Sequence, residues 1–186
     1  MAVPLDAKVP PRVRCEERSF EEVYREGFRF VWRCLRRLGV PDSQVEDAVQ
    51  DVFVVVHRRL DEFEGRASIH TWLFRITQRV ASDYRRRRRR KPTEQLVVET
   101  VATERDGPAE QAQKRRQAEV LHAILESMDD NKRTVFILSE LEQMRGPEIA
   151  EALGVPTDTV YSRLRAARSV FEKALARHRA REEGSA

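Results

Sequence analysis

Several residue types that define whole classes of protein are scarce in this chain of 186 residues. Only two cysteines are present, Cys15 and Cys34, and neither belongs to a Cys-x-x-Cys motif or a cysteine–histidine cluster. This excludes a disulfide framework and argues against a metal site built from thiolates and imidazoles. We therefore predict no metal site and no cofactor, and we expect both cysteines to be reduced thiols.

Long apolar runs are also missing. Residues 1–18 carry prolines and charges where a secretory signal would have an apolar core. No segment approaches the ~20 consecutive apolar residues that cross a bilayer. We expect a cytoplasmic protein without membrane insertion, in which residues 1–18 form a flexible N-terminal segment.

Glycine and aromatic residues are few, at 7 residues and 7% of the chain, whereas 35% of the residues are charged. No stretch shows the regular polar–apolar alternation of a half-buried strand, and apolar residues instead recur at helical spacing. So high a charged content does not suit one large core. These features predict an all-α fold of two small helical domains joined by a flexible linker.

The charges are sorted along the chain, although the formal net charge is only +4. Acidic residues cluster in 42–64 and 94–110, and basic residues cluster in 75–91 and 161–181. A protein with such segregation offers surfaces of opposite sign to different partners. We expect nucleic acid on one surface and a different partner on the other.

Breaks in the helical pattern predict the domain boundaries. Ser19 is expected to cap the first helix, Asp42 or Ser43 the second, and a third helix is expected over 70–85. An acidic stretch bounded by proline and glycine then predicts a linker. The predicted division is a flexible segment 1–18, a first domain 19–91, a linker 92–107, a second domain 108–178 and a disordered tail 179–186.

A helix–turn–helix over residues 147–171 is the most informative motif. Gly154 is expected to end its first helix, because glycine tolerates the left-handed backbone of a helix end. Thr157 is expected to cap the second helix. That helix has one apolar stripe, and its other faces carry basic and hydroxyl residues that suit phosphates and base edges in a major groove. A helical hairpin with a solvated basic face is the less favoured alternative.

Residues 85–91 give seven successive positive charges at the end of the predicted third helix. Such a run neutralises phosphates, so it predicts binding with a steep salt dependence. Arg75, Gln78 and Arg79 share one side of the helix before it, opposite its apolar stripe. An RNA-binding tract and a solubilising helix end are the alternatives for the run.

Two aromatic residues near this helix have different interpretations. Trp72 lies on the apolar stripe and is predicted to be a core residue. Phe63 precedes a short polar loop, where it has two equally supported roles: stacking on an unpaired base or closing the core.

The predicted second helix carries Glu46, Asp47, Gln50 and Asp51 along one edge. These carboxylates would repel phosphate, so this edge is not expected to face DNA. It is either a solvated helix start favoured by the helix dipole or a docking face for a basic partner protein. Excess apolar surface at Val54 and its neighbours favours docking.

The order and spacing of these motifs over residues 19–177 resemble the extracytoplasmic-function (ECF) sigma factors, the small promoter-specificity subunits of bacterial RNA polymerase. DAVQDVFVVVHRRLDEFEG is similar to the family's polymerase-docking helix, and SIHTWLFRITQRVASDYRRRRRR to its −10 element helix. The segment from Asp129 to Leu175 is similar to its −35-binding domain. The resemblance implies that 19–91 is sigma region 2 and 108–178 is sigma region 4.

The resemblance also implies partners and a site for each. Core RNA polymerase would bind through the coiled coil of its largest subunit and its flap region, and the coiled coil would contact Asp47, Gln50, Asp51 and Phe53. Promoter DNA at the −10 element would contact Phe63, Ser68, Arg75, Gln78, Arg79, Arg85 and Arg86. Promoter DNA at the −35 element would contact Thr159, Tyr161, Ser162, Arg163, Arg165 and Arg168. An anti-sigma factor is a further expected partner, and no small-molecule substrate is expected.

The chain departs from the family pattern at several places. Many relatives carry asparagine at the position of Arg79, and basic residues at those of Tyr161 and Ala166. Residues 144–147 replace a commoner aromatic and acidic segment before the helix–turn–helix.

Two functions of other classes were compared with the sigma-factor interpretation. A stand-alone helix–turn–helix regulator would bind an operator tightly without polymerase. An enzyme acting on nucleic acid is disfavoured, because the four histidines show no ligand spacing and no nucleophile–base motif is present. We therefore expect a protein that is not an enzyme.

Overall fold

The protein was analysed as a computed structural model, in which residues 18–90 and 107–184 are described. Regular structure in these ranges is helical throughout, which confirms the predicted all-α fold. The helices are α1 (Phe20–Arg37), α2 (Asp42–Arg59), α3 (Ile69–Arg90), α4 (Pro108–Glu126), α5 (Asp130–Phe136), α6 (Gly146–Leu153) and α7 (Thr157–Glu183). A 3₁₀ turn at Leu60–Glu62 follows α2, and a π-helical stretch at Ile137–Leu141 continues α5. Residues 1–17 of the predicted flexible segment and residues 92–106 of the predicted linker lie outside the described residues.

The start of α1 is held by a capping box. The Ser19 hydroxyl accepts a hydrogen bond from the Glu22 N–H at 3.2 Å, and the Glu22 carboxylate accepts one from the Ser19 N–H at 3.0 Å. This satisfies two donors that a helix start leaves unpaired, so the predicted Ser19 cap is confirmed.

The predicted cap of α2 at Asp42 or Ser43 is wrong. Pro41 occupies the cap position with an extended backbone, and Asp42 is the first helical residue. Its carboxylate accepts hydrogen bonds from Arg36 at 2.8 and 3.3 Å. The acid therefore still lies in the first turn, where the helix dipole favours it, but a tertiary ion pair engages its side chain.

Helices α1, α2 and α3 pack around one apolar core. Gly27 allows the close approach of α1 and α3, because a Cβ there would lie 2.5 Å from Leu73 Cδ1. Cys34 is fully buried in this core, and burial raises the pKa of its thiol well above the ordinary value. Helix α3 is longer than the predicted 70–85, since arginine is a good helix former and the run contains no breaker.

An arginine closes the C-terminal end of α4. Arg133 is 8% exposed and donates to the carbonyl oxygens of Leu125 at 2.7 Å, Glu126 at 3.0 Å and Met128 at 3.1 Å. A cation at this position satisfies carbonyls that the helix end leaves unpaired and interacts favourably with the dipole. Asp129 caps α5 by accepting from the Lys132 N–H at 3.0 Å.

The helix–turn–helix consists of α6 and α7. Gly154 ends α6 with φ +64°, as the sequence predicted. Helix α7 begins at Thr157, so this residue is the first helical position and not the predicted cap. The helix also continues to Glu183, where the sequence predicted disorder from residue 179. Alanine, arginine and glutamate favour helix, and the next glycine is Gly184.

Ion pairs join helices α1–α3 to helices α4–α7. The Glu142 side chain is 3% exposed and pairs with Arg33, at 2.6 Å, and with Arg37. Arg85 donates to both carboxylate oxygens of Asp130, at 2.7 and 3.0 Å. A fourth contact joins Arg88 to Glu126 at 3.2 Å. Together with the packing of α3 on α6, these inter-domain ion pairs hold the two halves in one closed arrangement.

Candidate polymerase and DNA interfaces

An acidic face on α2 is formed by Asp47, Gln50 and Asp51, all three exposed. Phe53 is mostly buried beside this face: it is 4% exposed, and its ring lies 4.6 Å from that of Tyr24 and 6.4 Å from that of Phe20. Its contact with polymerase stays a prediction.

Tyr84 on α3 contacts the acidic face from the buried side of α2. Its hydroxyl donates to Asp51 Oδ2 at 2.9 Å. Burial, followed by this hydrogen bond and the charges of Asp51 and Asp47, raises the pKa of Tyr84 to about 12. The sequence analysis missed this residue, since the two partners are 33 positions apart and no local pattern joins them.

An apolar groove of about 630 Å³ adjoins the acidic face. Its exposed apolar side chains include Tyr24, 42% exposed, and Val54, 41% exposed. Large apolar side chains left in solvent beside carboxylates are typical of protein-docking surfaces. The groove is lined mainly by the rings of α1 and by α2, with Phe20, Tyr24, Phe28, Trp32, Val49, Phe53 and Val54.

Phe63 and Trp72 form a ring pair at the start of α3. Their centroids are 5.2 Å apart with the planes tilted by 46°, and both side chains are partly buried. Phe63 therefore packs on the domain while keeping part of its ring in solvent. Ser68 caps α3, since its hydroxyl accepts from the Thr71 N–H at 3.1 Å. This fixes the polar loop directly beside the ring pair.

The basic face of α3 consists of Arg75, Arg79 and Arg86, all three exposed, with Gln78 half-buried beside them. The structure thus brings these predicted −10 residues together on one helix. Arg85 lies apart from them and faces the second half of the molecule through its pair with Asp130.

The solvent side of α7 carries the residues predicted for the −35 element. Exposed side chains are those of Tyr161, Ser162, Arg165 and Arg168, whereas Thr159 and Arg163 are half-buried. Two of them have local partners: Ser162 donates to the Thr159 carbonyl at 3.0 Å, and Arg168 donates to Glu140 at 2.7 and 3.0 Å. Tyr161 and Arg165 line a shallow concavity of about 750 Å³.

The start of α6 is also held by a charge pair. The Glu148 carboxylate accepts from the Arg145 N–H at 2.9 Å, and Arg145 lowers the pKa of Glu148. This pair sets where the helix–turn–helix begins.

Residues 18–90 and 107–184 contain no group of three or more histidine, cysteine, aspartate or glutamate side chains arranged to hold a metal ion. Nor does any helix in these ranges combine the length and apolar character needed to cross a membrane.

Comparison with known proteins identifies both halves of the chain. The Sigma-70 region 2 family matches residues 19–91, and the Sigma-70, region 4 family matches residues 118–169. The RNA polymerase sigma factor CnrH of Cupriavidus metallidurans is 32% identical over 162 residues, which cover 82% of this chain and 84% of that protein. The ECF RNA polymerase sigma-E factor of Escherichia coli K12 is 30% identical over 142 residues, covering 72% and 74%.

A solved structure shows the same fold. CnrH in complex with the cytosolic domain of CnrY superposes with a TM-score of 0.65 and 25% identity, covering 84% of this chain and 87% of that one. A stand-alone regulator is not favoured, because both sigma regions match in order. The chain belongs to the extracytoplasmic-function group of RNA polymerase sigma factors, which direct transcription initiation.

Proposed function

We propose that this sigma factor binds core RNA polymerase through α2 and reads two promoter elements, one through α3 and one through α7. Its contribution to initiation is positioning, and the chemistry of RNA synthesis belongs to the polymerase. The protein acts in the cytoplasm, where polymerase and promoter DNA meet.

The observation that carries this proposal is the separation of charge among exposed side chains. Asp47 and Asp51 on α2 are exposed carboxylates, whereas Arg75 on α3 and Arg165 on α7 are exposed guanidiniums. Phosphate is repelled by the first pair and attracted by the second. A protein partner therefore suits α2, and the apolar groove beside it extends that surface.

At the −10 element, the ring pair of Phe63 and Trp72 would hold an unstacked base. Aromatic faces bind bases of single strands by stacking, and guanidiniums neutralise the backbone alongside. Arg75 and Arg79 lie on the helix that begins directly after the loop, so they are placed to bind phosphates of the same strand. This arrangement would favour the melted form of the promoter.

At the −35 element, the first turns of α7 would enter a major groove. The N-terminal residues of a recognition helix contact base edges. Tyr161, Ser162 and Arg165 lie there and are exposed. Arginine forms paired hydrogen bonds with guanine, and hydroxyl groups can donate to or accept from base edges. These side chains would therefore supply sequence discrimination.

The polymerase assignment is tested with Asp47→Lys/Asp51→Lys in the full chain. We expect association with purified core polymerase to be lost, with helical content unchanged, because two lysines reverse the sign of the acidic face. The matched control is Glu110→Lys/Glu119→Lys, which makes the same charge change on exposed positions of α4. Polymerase binding equal to wild type by the first variant would contradict the assignment.

The DNA assignment is tested with Arg165→Ala in the reconstituted holoenzyme. A bidentate base contact predicts a loss of about 1–3 kcal/mol at particular −35 base pairs only. Run-off transcription from a promoter pool measures this. An equal loss on every sequence would show that Arg165 contacts phosphate and does not read bases.

An anti-sigma factor is a further proposed partner. Support comes from the relative CnrH, whose solved structure contains the cytosolic domain of CnrY. The apolar groove of α1 and α2 provides docking surface for such a protein, in competition with polymerase. Copurification of this sigma factor with a protein that blocks its run-off transcription would support such a partner. If Val54→Asp leaves the binding of that protein unchanged, the groove is excluded as its docking site.

A further inference from the structure

Tyr161 rests directly against Gly146 at the start of α6. A Cβ added at Gly146 would lie 2.7 Å from Tyr161 Oη, 2.8 Å from Cζ and 2.9 Å from Cε1. Real Cβ atoms essentially never approach so closely. The phenol end of this ring therefore occupies the space that any side chain at position 146 would fill.

A left-handed backbone is not the reason for glycine at this position. Positive φ among the described glycines occurs at Gly39, Gly65 and Gly154, and not at Gly146. Besides easing the helical backbone before Pro147, glycine at this position leaves the room that the Tyr161 ring occupies.

Tyr161 is 51% exposed, so its ring is not part of the buried core. Side chains on a helix lean toward its N-terminus, so a tyrosine in the first turns of α7 points toward the turn and the start of α6. A methyl group at position 146 would push this half-exposed ring aside and would leave the core intact. The consequence is a change in the direction of Tyr161, with little change in stability.

We propose that Gly146 is a positioning residue for base readout: the space it leaves lets the Tyr161 ring lie against the start of α6 in one direction, so that Tyr161 discriminates at a defined base pair of the upstream promoter element. This rests on the proposed reading of duplex DNA by α7. Tyr161 supplies an apolar ring edge for a thymine methyl and a hydroxyl for a base-edge hydrogen bond. A ring that samples several directions would keep general affinity but lose discrimination.

The test uses the full chain with core polymerase and a duplex library randomised in the upstream element. The variants are Gly146→Ala, Tyr161→Ala and the double variant. The control is Gly107→Ala, since Gly107 also precedes a proline at a helix start, as the cap residue of α4, and a Cβ there would meet no described atom within 4 Å. Gly154 is unsuitable as a control because its φ of +64° strains any other residue.

We expect Gly146→Ala to reduce discrimination at least about fivefold at the base pair affected by Tyr161→Ala, a size typical of one base contact. Other positions, and binding to duplex of unrelated sequence, should match wild type. The double variant should resemble Tyr161→Ala, because both changes act through one ring. Gly107→Ala should keep the wild-type preference.

Unchanged preference in Gly146→Ala, a uniform loss at every position, or a change at positions unaffected by Tyr161→Ala would overturn the proposal. If the wild-type holoenzyme shows no base preference in the upstream element, the proposed function itself fails. Failure of the proposed function is therefore distinguishable from failure of the role given to Gly146. If Gly146→Ala loses helical content, NMR on the wild-type chain decides. A nuclear Overhauser contact between the Tyr161 ring and the Gly146 α-protons supports the proposal, and its absence overturns it.

Discussion

At the scale of single residues, the hydrogen bond from Tyr84 to Asp51 links α3 to the acidic face of α2. Asp51 is exposed, whereas Tyr84 is only 8% exposed. A buried hydroxyl therefore orients a surface carboxylate. Polymerase docking would therefore depend on a side chain that makes no surface contact of its own.

This bond has a measurable pH signature. The pKa of Tyr84 is about 12, above the unfolded value of about 10. A folded pKa above the unfolded one means that stability falls as pH rises between these values. Asp51→Asn should lower the pKa of Tyr84 in a tyrosinate absorbance titration, with Tyr84→Phe identifying its signal. A Tyr84 titration unchanged by Asp51→Asn would contradict the bond.

At the scale of elements, Arg133 joins the end of α4 to α5 through three carbonyl oxygens. Its burial makes each of these bonds important, because unpaired carbonyls in an apolar setting carry their full desolvation cost. The same side chain anchors the helices on which α7 packs.

We expect Arg133→Ala to lower the free energy of unfolding by about 2–4 kcal/mol, from lost charge-assisted hydrogen bonds and a cavity. Urea denaturation followed by circular dichroism measures this. Arg115→Ala, at an exposed position of α4, is the control and should change stability little. Equal stabilities of the two variants would show that Arg133 does not hold the end of α4.

At the scale of the whole molecule, the inter-domain ion pairs differ in how much they stabilise the closed arrangement. Asp130 is 53% exposed, so its pair with Arg85 contributes little in water. Glu142 is 3% exposed between two arginines, and breaking a buried pair is far more costly. Among these ion pairs, those of Glu142 therefore contribute most to the closed arrangement.

Glu142→Lys should separate the two halves, because a lysine beside Arg33 and Arg37 puts three positive charges together. Small-angle X-ray scattering should then show a larger radius of gyration than for wild type or for Glu119→Lys, the exposed charge-matched control. Identical scattering from the two variants would exclude a main role of Glu142 in closure.

Local physics explains which expectations the structure confirmed. The Ser19 cap and the Gly154 helix end depend on neighbours within a few residues, so the sequence contains the whole reason for each. The helix–turn–helix is predictable on the same grounds. The start of α7 at Thr157 differs from the prediction by one residue, since helix ends are defined only to within one or two residues.

Differences from the predictions arise where distant segments compete for a side chain. Asp42 does not cap α2 and pairs with Arg36 instead. Phe53 is mostly buried by the rings of α1, and its contact with polymerase stays a prediction. Arg85, for which the resemblance implies a −10 contact, has its guanidinium paired with Asp130, 45 residues away. Its role in DNA binding stays a prediction.

The sequence by itself determined the helical fold, the helix–turn–helix and the sorting of charge, because helical periodicity and the order of charges need no long-range contact. Only the tertiary structure decided which charges remain exposed and which side chains meet. Two departures from the family pattern, Tyr161 and the segment containing Gly146, are far apart in the pattern but touch in space. Such contacts depend on how α6 and α7 cross, and crossing geometry is set by packing, which no local pattern encodes.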